Sequence, residues 1–227
     1  PGYTVQGLSI SAQLYSILAV TTDGKPLTNS IPWSDTRSAE QAARLRPNPV
    51  ADAIRQRTGC PIDSVYPRSK IQWIKENLSL PVDARFISIK EYVTHRLTRQ
   101  FLADWSMASA TGLFDIQNKT WDAAALDLLG ITQENLSQLV STRTVLAIRE
   151  QARQDAGVAP DLPLVIGGGD GPLASLGVGA LGTNGLAVNV GTSAAARAVI
   201  RQPQIDPAGQ LWTYLIDDGL WVTGGMV

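Results

Sequence analysis

The sequence predicts an α/β protein whose buried strands end at a ligand cleft. An apolar run at residues 164–166 leads into three glycines and then one carboxylate, Asp170. A second apolar run, at 186–190, ends in Gly191, Thr192 and Ser193. Between residues 38 and 139, helical segments surround a short strand-like run. Short apolar runs that stop at glycine are typical of buried strands, and helices placed among them indicate an α/β fold.

The two strand ends carry complementary chemistry. Glycine lets another group approach the backbone, and Asp170 stands at the tip of its strand like a general base. The N–H and hydroxyl donors of Gly191, Thr192 and Ser193, at a tight turn, can surround phosphate oxygens. A base beside a phosphate site favours phosphoryl transfer to a hydroxyl. The alternative is structural: the first stretch is only a turn, and the second only the tip of a hairpin.

Composition excludes several classes of partner. The chain has 227 residues, 44% of them hydrophobic, enough for one or two domains. Its net charge of −1 predicts neither a nucleic-acid nor an anionic-membrane partner. No apolar run reaches the ~18 residues of a membrane span, and the start lacks a secretory signal pattern. The single cysteine, Cys60, indicates a reducing, cytoplasmic location, and the single histidine, His95, excludes a His-rich metal site.

The first 33 residues predict three strands, at 5–11, 14–20 and 27–33. A hairpin turn centred on Asp23 and Gly24 joins the last two. Five side chains gather at the strand ends and suit a polyol site, in which rings cover C–H faces and polar groups bind hydroxyls: Gln13, Tyr15, Trp33, Asp35 and Arg37. Alternatively, Tyr15 and Trp33 are core aromatics and Asp35 caps the following helix.

The middle of the chain is mainly helical. Propensity, periodicity and breakers predict one strand at 86–89 and helices at 38–45, 50–58, 70–77, 90–97, 123–129 and 132–139. Gly59 and Gly130 end two of these helices, and Thr132 is the expected N-cap of the last. His95, within the fourth helix, is assigned no role. A run of small and hydroxyl residues at 103–114 surrounds Asp104 and Trp105.

Residues 140–163 are the expected seam between two domains, because they are polar, contain Gly and Pro, and have no strong apolar period. Beyond the seam the sequence predicts a glycine-rich series of elements, namely a strand at 164–166, a helix at 172–181, strands at 186–190 and 197–200, and a hairpin of 211–216 with 220–223. The chain begins and ends inside strand-like runs, so we expect a piece of a longer protein.

Several motifs support a family resemblance. In chain order, the first nine motifs are residues 7–13, 23–28, 31–37, 69–74, 89–93, 97–98, 104–109, 114–116 and 121–122. The last two are Gly168-Gly169-Asp170-Gly171 and Gly191-Thr192-Ser193. In this order they resemble the FGGY family of carbohydrate kinases, in the actin-like ATPase superfamily, and within it the gluconate kinases most. The resemblance covers nearly the whole chain.

The resemblance implies the actin-like ATPase (ribonuclease H-like) fold. Residues 1–160 would form most of the sugar-binding N-terminal domain, without its first strands. Residues 161–227 would begin the ATP-binding C-terminal domain. The implied activity is ATP- and Mg²⁺-dependent phosphorylation of a sugar or sugar acid, with gluconate converted to 6-phosphogluconate. A homodimer is common among such enzymes, but no exposed apolar stripe requires one.

The resemblance also implies roles for individual residues. Asp170 matches the catalytic base. Residues that match substrate contacts are Gln13, Leu14, Tyr15, Trp33, Trp105, Asp170 and Gly171. Gly191, Thr192 and Ser193 match a phosphate loop for ATP, and no residue is assigned to a metal. A substrate carboxylate would also need a cation, for which Arg37, Arg68 and Lys70 are candidates.

The chain departs from the family pattern at both ends. No Asp-x-Gly-Thr phosphate loop precedes Gly7, and no adenosine-binding segment follows the last motif. We therefore expect little or no kinase activity from these 227 residues alone. Two alternatives stay open: a kinase of xylulose, another pentulose or glycerol, which share the scaffold, and a sugar-binding regulator without catalysis.

Overall fold

Helices and short strands occur together throughout the residues that the computed structural model describes, which are 4–181, 185–191 and 194–226. The helices are α1 (Ala39–Leu45), α2 (Pro49–Thr58), α3 (Pro67–Asn77), α4 (Ile89–Thr98), α5 (Trp105–Ser109), α6 (Ala123–Leu129), α7 (Glu150–Ala156) and α8 (Asp170–Gly177). The strands before residue 160 are β1 (Leu8–Ala12), β2 (Leu18–Val20), β3 (Arg85–Ile87), β4 (Leu102–Asp104), β5 (Phe114–Asp115), β6 (Thr120–Trp121), β7 (Gln138–Val140) and β8 (Val145–Leu146). Those that follow are β9 (Leu164–Gly169), β10 (Ala187–Val190), β11 (Ala194–Ile200), β12 (Trp212–Asp217) and β13 (Leu220–Met226).

Two sheets position the site. In the first, β9 lies between β1, to which it is parallel, and β8, to which it is antiparallel. The second is antiparallel, with the strand order β10-β11-β13-β12. Because β9 pairs with β1, contacts cross the boundary expected at residue 160, and the division into two domains stays a prediction.

Helix ends agree well with the sequence because their signals are local. Gly59 and Gly130 follow α2 and α6 in the left-handed conformation, with φ of 68° and 59°. Ser88 and Glu91 form a capping box at the start of α4. Gly24 has φ of 86° in the expected turn. The hairpin of β12 and β13 is also present.

Two predicted elements were wrong. Residues 27–33 form no strand: only Ile31 makes an isolated bridge there, with Ile17, and β2 pairs instead with β3. Residues 132–139 form no continuous helix but a short 3₁₀ turn, Gln133–Asn135, followed by β7, which pairs with β4. In both cases a strand partner distant in sequence determines the structure.

The largest core lies among α2, α3, α6 and the strands beside them, and includes Ile54, Ile71, Ile74 and Phe114, none of them exposed. Beside it, Lys90 and Asp104 form a fully buried ion pair of 2.6 Å. No helix among the described residues combines the length and apolar character needed to cross a bilayer.

Candidate active site

An open cleft of about 260 Å³ lies between the end of β1, the start of α8 and the sheet that contains β11. Its lining residues are Gln13, Leu14, Tyr15, Trp33, Asp170, Gly171, Asn189, Ala194, Ala195, Arg197 and Trp212. The structure thus brings together six of the seven residues predicted to contact substrate. The seventh, Trp105, does not line the cleft: it packs against the main core, and its ring faces Lys119 Nζ at 5.0 Å.

A larger cavity of about 610 Å³ lies elsewhere, beside α3 and β3. Two of its polar side chains are already bonded to the backbone. Lys75 Nζ donates to the carbonyl oxygens of Leu129 and Gly130, and Asn135 Nδ2 donates to those of Val82 and Ala84. Polar groups that converge on open space mark a ligand site better than volume does, so the smaller cleft is the candidate.

Asp170 is the first residue of α8, immediately after the end of β9 at Gly169. Its side chain is exposed and lines the cleft. One carboxylate oxygen, Oδ1, accepts a hydrogen bond of 2.7 Å from the Gly171 N–H. Within the described residues Asp170 forms no ion pair, so the rest of the carboxylate remains available to a ligand.

The three glycines before Asp170 let β9 approach other parts of the chain. Gly167 has φ of 68°, and a Cβ there would lie 2.2 Å from the Ile10 carbonyl oxygen. A Cβ on Gly169 would lie 2.3 Å from Leu14 Cδ2. The close approach expected at these glycines is therefore made by β1 and the loop after it, and this packing sets Leu14 beside Asp170.

The buried Lys70 side chain connects the two segments of the cleft wall that carry Tyr15 and Trp33. Lys70 is fully buried, and its Nζ donates to the carbonyl oxygens of Tyr15, at 3.0 Å, and Pro32, at 2.7 Å. Tyr15 has φ of 67°, which is uncommon for a residue other than glycine. Burial lowers the pKa of Lys70 to about 8. Lys70 thus fixes the backbone beside Trp33 and at Tyr15.

Three tyrosines form a hydrogen-bonded group behind the cleft. The Tyr214 hydroxyl lies 3.1 Å from that of Tyr15 and 2.8 Å from that of Tyr66. Burial raises the pKa of the Tyr15 phenol, while the nearby charges act in opposite directions, Arg197 lowering that pKa and Asp170 raising it. Tyr15 therefore stays protonated at neutral pH and lies within electrostatic reach of both charged groups.

Arg197, on β11, was not among the residues predicted from the sequence. Its guanidinium donates to the Asn189 side chain, and Cζ lies 5.9 Å from the centroid of the Trp212 ring. A Cβ on Gly171 would lie 3.2 Å from its Nε and Nη2. A signal did exist, because this is the only charged residue in a strand otherwise composed of Ala, Val and Ile.

The three cations considered for a substrate carboxylate all lie outside the cleft lining. Arg37 pairs with Asp35 at 2.7 Å and lies over the Trp73 ring. Arg68 is fully buried, and Lys70 is bonded to two carbonyl groups. Asp35 does not cap the following helix either: the N-cap residue of α1 is Ser38.

Of the predicted phosphate loop, Gly191 is exposed and directly follows β10, whereas Thr192 and Ser193 lie outside the described residues. The described part of the chain contains no group of three or more His, Cys, Asp or Glu side chains that could hold a metal. Among the residues that the structure describes, Asp170 is the one carboxylate that lines the cleft. These side chains do not by themselves form a Mg²⁺ site.

Comparison with known proteins gives a consistent family assignment. Residues 2–177 match the N-terminal domain of the FGGY family of carbohydrate kinases. A gluconokinase of Bacillus subtilis (strain 168) is 37% identical over 230 residues, covering 100% of this chain and 45% of the relative. The chain therefore spans about half the length of the curated relatives it matches.

Two solved structures from Lactobacillus acidophilus share the fold. A gluconate kinase superposes with a TM-score of 0.93 at 31% identity, and a ligand-bound xylulose kinase with a TM-score of 0.93 at 32% identity. Each alignment covers 100% of this chain and 47% of the other. Proteins named for different sugars are thus equally similar to it in backbone.

Proposed function

Because the chain belongs to the FGGY family of carbohydrate kinases, we propose that the full-length protein phosphorylates gluconate with ATP, forming 6-phosphogluconate. The actin-like ATPase fold of that family provides the scaffold. The similarity to gluconokinases supports gluconate as the substrate. The observation that carries the proposal is the exposed carboxylate of Asp170, at the helix start that borders an aromatic and polar cleft.

In this proposal Asp170 is the general base. Its carboxylate accepts the proton of the substrate hydroxyl as that oxygen forms a bond to the γ-phosphorus of ATP. The bond from phosphorus to the bridging oxygen breaks, and ADP leaves with the electron pair. The exposed ring of Trp33 covers a C–H face of the sugar, and Gln13 binds hydroxyl groups. Gly191, Thr192 and Ser193 are proposed to contact ATP phosphates.

Mg²⁺ would neutralise phosphate charge when bound with ATP. Because the described side chains do not form a site for it, no catalytic step of this chain is assigned to the ion. The predicted division at residue 160 belongs to the same proposal, with sugar bound mainly by the first part and ATP by the second. Trp105 stays a predicted substrate contact, although it does not line the cleft in this structure.

Two measurements test the function. Titration calorimetry on the 227-residue chain should detect gluconate binding, with xylulose and glycerol weaker. A coupled ADP-release assay on the full-length protein should detect gluconate-dependent turnover, which Asp170→Asn lowers by roughly 10²- to 10⁴-fold while gluconate binding is retained. The exposed Asp161 provides a control of equal charge change, and Asp161→Asn should leave turnover unchanged.

The alternatives give different results. Preference for xylulose in both assays would identify a pentulose kinase, which the similarity to the xylulose kinase structure supports as second candidate. Gluconate binding without turnover in the full-length protein would identify a sugar-binding regulator. The same ADP-release assay on the 227 residues alone tests the expectation of little or no activity.

A further inference from the structure

The cleft contains a positive charge that the phosphorylation step does not use. Among the described residues, Arg197 is the only cationic side chain that lines it. The side chain is half-buried, and no carboxylate of the described residues pairs with it. Of its five N–H donors, the structure assigns one nitrogen, Nη1, to Asn189. A half-buried cation whose remaining donors bind no acceptor among the described residues is suited to an anion.

The surroundings of Arg197 hold the guanidinium in place. A Cβ on Gly171 would lie 3.2 Å from Nε, 3.2 Å from Nη2 and 3.3 Å from Cζ. Similar distances to all three atoms place this contact mainly on the flat face of the group, so its N–H edge stays available. Trp212 lies within cation–π range at 5.9 Å. A side chain oriented in this way loses little entropy when it binds a planar, two-oxygen ligand.

Arg197 and Asp170 line the same cleft with opposite charges, so a substrate that binds there meets both. Gly171, beside which the Arg197 guanidinium lies, is the neighbour of Asp170 in sequence, and Tyr15 lines the cleft together with both charged residues. A sugar acid with a terminal carboxylate carries that group at one end and a primary hydroxyl at the other. Near Asp170 the carboxylate would be repelled, whereas near Arg197 it would gain charge-assisted hydrogen bonds.

We propose that Arg197 binds the carboxylate of a sugar-acid substrate and selects it over the uncharged polyol of the same length. This inference rests on the proposed function and specifies which group recognises the acid. It replaces Arg37, Arg68 and Lys70, which lie outside the cleft lining, as the source of the cation. Phosphate oxygens of ATP are the other anion that a guanidinium could bind, and the experiment separates the two.

The test compares gluconate with glucitol, which has a hydroxymethyl group in place of the carboxylate. Titration calorimetry on the full-length protein should give weaker binding of glucitol than of gluconate. Arg197→Gln should weaken gluconate binding by about 10- to 100-fold and change glucitol binding less than about twofold. Arg197→Lys should give an intermediate loss, because an ammonium keeps the charge without the two-pronged geometry. Arg201→Gln, an equal charge change at an exposed residue, should have no effect.

Other outcomes overturn the inference. An equal loss for both ligands would show that Arg197 only supports the cleft. Unchanged gluconate binding, with loss of stabilisation by ATP or inorganic phosphate in the full-length protein, would assign Arg197 to phosphate. Both results leave the proposed function intact. If the unaltered chain and the full-length protein bind no gluconate at all, the proposed function and this inference fail together.

A second variant, Gly171→Ala, tests the same proposal in case Arg197→Gln does not fold. Gly171→Ala would shift the guanidinium by a few tenths of an ångström, so we expect a smaller loss that is again selective for gluconate. Gly177→Ala is the matched control in the same helix, because a Cβ there meets nothing within 4 Å. Because Gly171 also lines the cleft, its Cβ can weaken both ligands, so only the difference between them reports on Arg197. A Gly171→Ala variant that binds both ligands as the unaltered protein does would contradict the proposal even if Arg197→Gln fails to fold.

Discussion

The ammonium group of Lys70 lies 3.0 Å from the carbonyl oxygen of Tyr15, so a fully buried cation holds a residue with left-handed backbone at the wall of the cleft. A second hydrogen bond from the same ammonium, to Pro32, fixes the segment that presents Trp33. Lys70, one of three cations considered for a substrate carboxylate, therefore has a positioning role in this structure.

Replacing Lys70 by Met should destabilise the protein, because it removes a donor from two carbonyl groups. The Pro32 oxygen keeps the hydrogen bond from the Asp35 N–H, whereas the Tyr15 oxygen loses the one donor that it has among the described residues. We expect a loss of roughly 1 to 3 kcal/mol in the free energy of unfolding, together with weaker sugar binding. Urea unfolding and titration calorimetry measure these effects. Lys25→Met, at an exposed site, is the control and should change neither.

The Lys70 substitution should also have a pH signature. The pKa of Lys70 is about 8 in the folded state and about 10.4 in the unfolded chain. At pH values between these two, the unfolded state therefore binds more protons than the folded state. This group therefore makes the protein more stable as the pH rises from about 8 to about 10.4. The stability difference between the unaltered protein and Lys70→Met should be larger at pH 9.5 than at pH 7.5. A pH-independent difference would mean that the pKa of Lys70 is not lowered.

Gly169→Ala should disturb the cleft through packing alone. Gly169 has φ of −72°, which alanine adopts without strain, but the new Cβ would lie 2.3 Å from Leu14 Cδ2. We expect a loss of roughly 1 to 2 kcal/mol in stability and weaker binding of both gluconate and glucitol. Shortening Leu14 to Ala in the same chain should restore part of the stability, as a double-mutant cycle would measure. Additive losses would show that the two residues do not clash.

Tyr214→Phe should expose the role of the tyrosine group. Its hydroxyl is the hydrogen-bond partner of both Tyr15 and Tyr66, so the change leaves two phenols without that partner. We expect a loss of roughly 1 to 3 kcal/mol in the free energy of unfolding. Tyr92→Phe should have little effect, because among the described residues the Tyr92 hydroxyl makes a single long hydrogen bond, of 3.4 Å, from Arg96. Equal effects of the two substitutions would contradict the assignment.

The buried pair of Lys90 and Asp104 should behave as a unit. Burial acts against both charges, raising the pKa of Asp104 and lowering that of Lys90. Asp104→Asn keeps a side chain able to cap α5 but leaves Lys90 buried without its counter-charge, so we expect a loss of roughly 3 to 5 kcal/mol. Adding Lys90→Met should recover part of it. Chemical denaturation of the three variants tests this, and a double variant less stable than Asp104→Asn would refute it.

The sequence predicted elements with local signals better than elements that depend on distant partners. Gly59 and Gly130 end their helices as expected, because a left-handed C-cap is a property of a few adjacent residues. The strand at 27–33 was wrong because alternation of side chains does not reveal which strand will pair, and β2 pairs with β3, more than sixty residues later.

For the site, the sequence by itself determined the end of β9: glycines that permit close packing, followed at once by Asp170. It also determined the candidate residues at 13–15 and Trp33. Only the tertiary structure decided that these segments share one cleft, that Trp105 and Arg37 lie outside its lining, and that Arg197 lies beside Gly171. The physical reason is that contacts between remote segments depend on strand register and side-chain volume, and no short stretch of sequence contains that information.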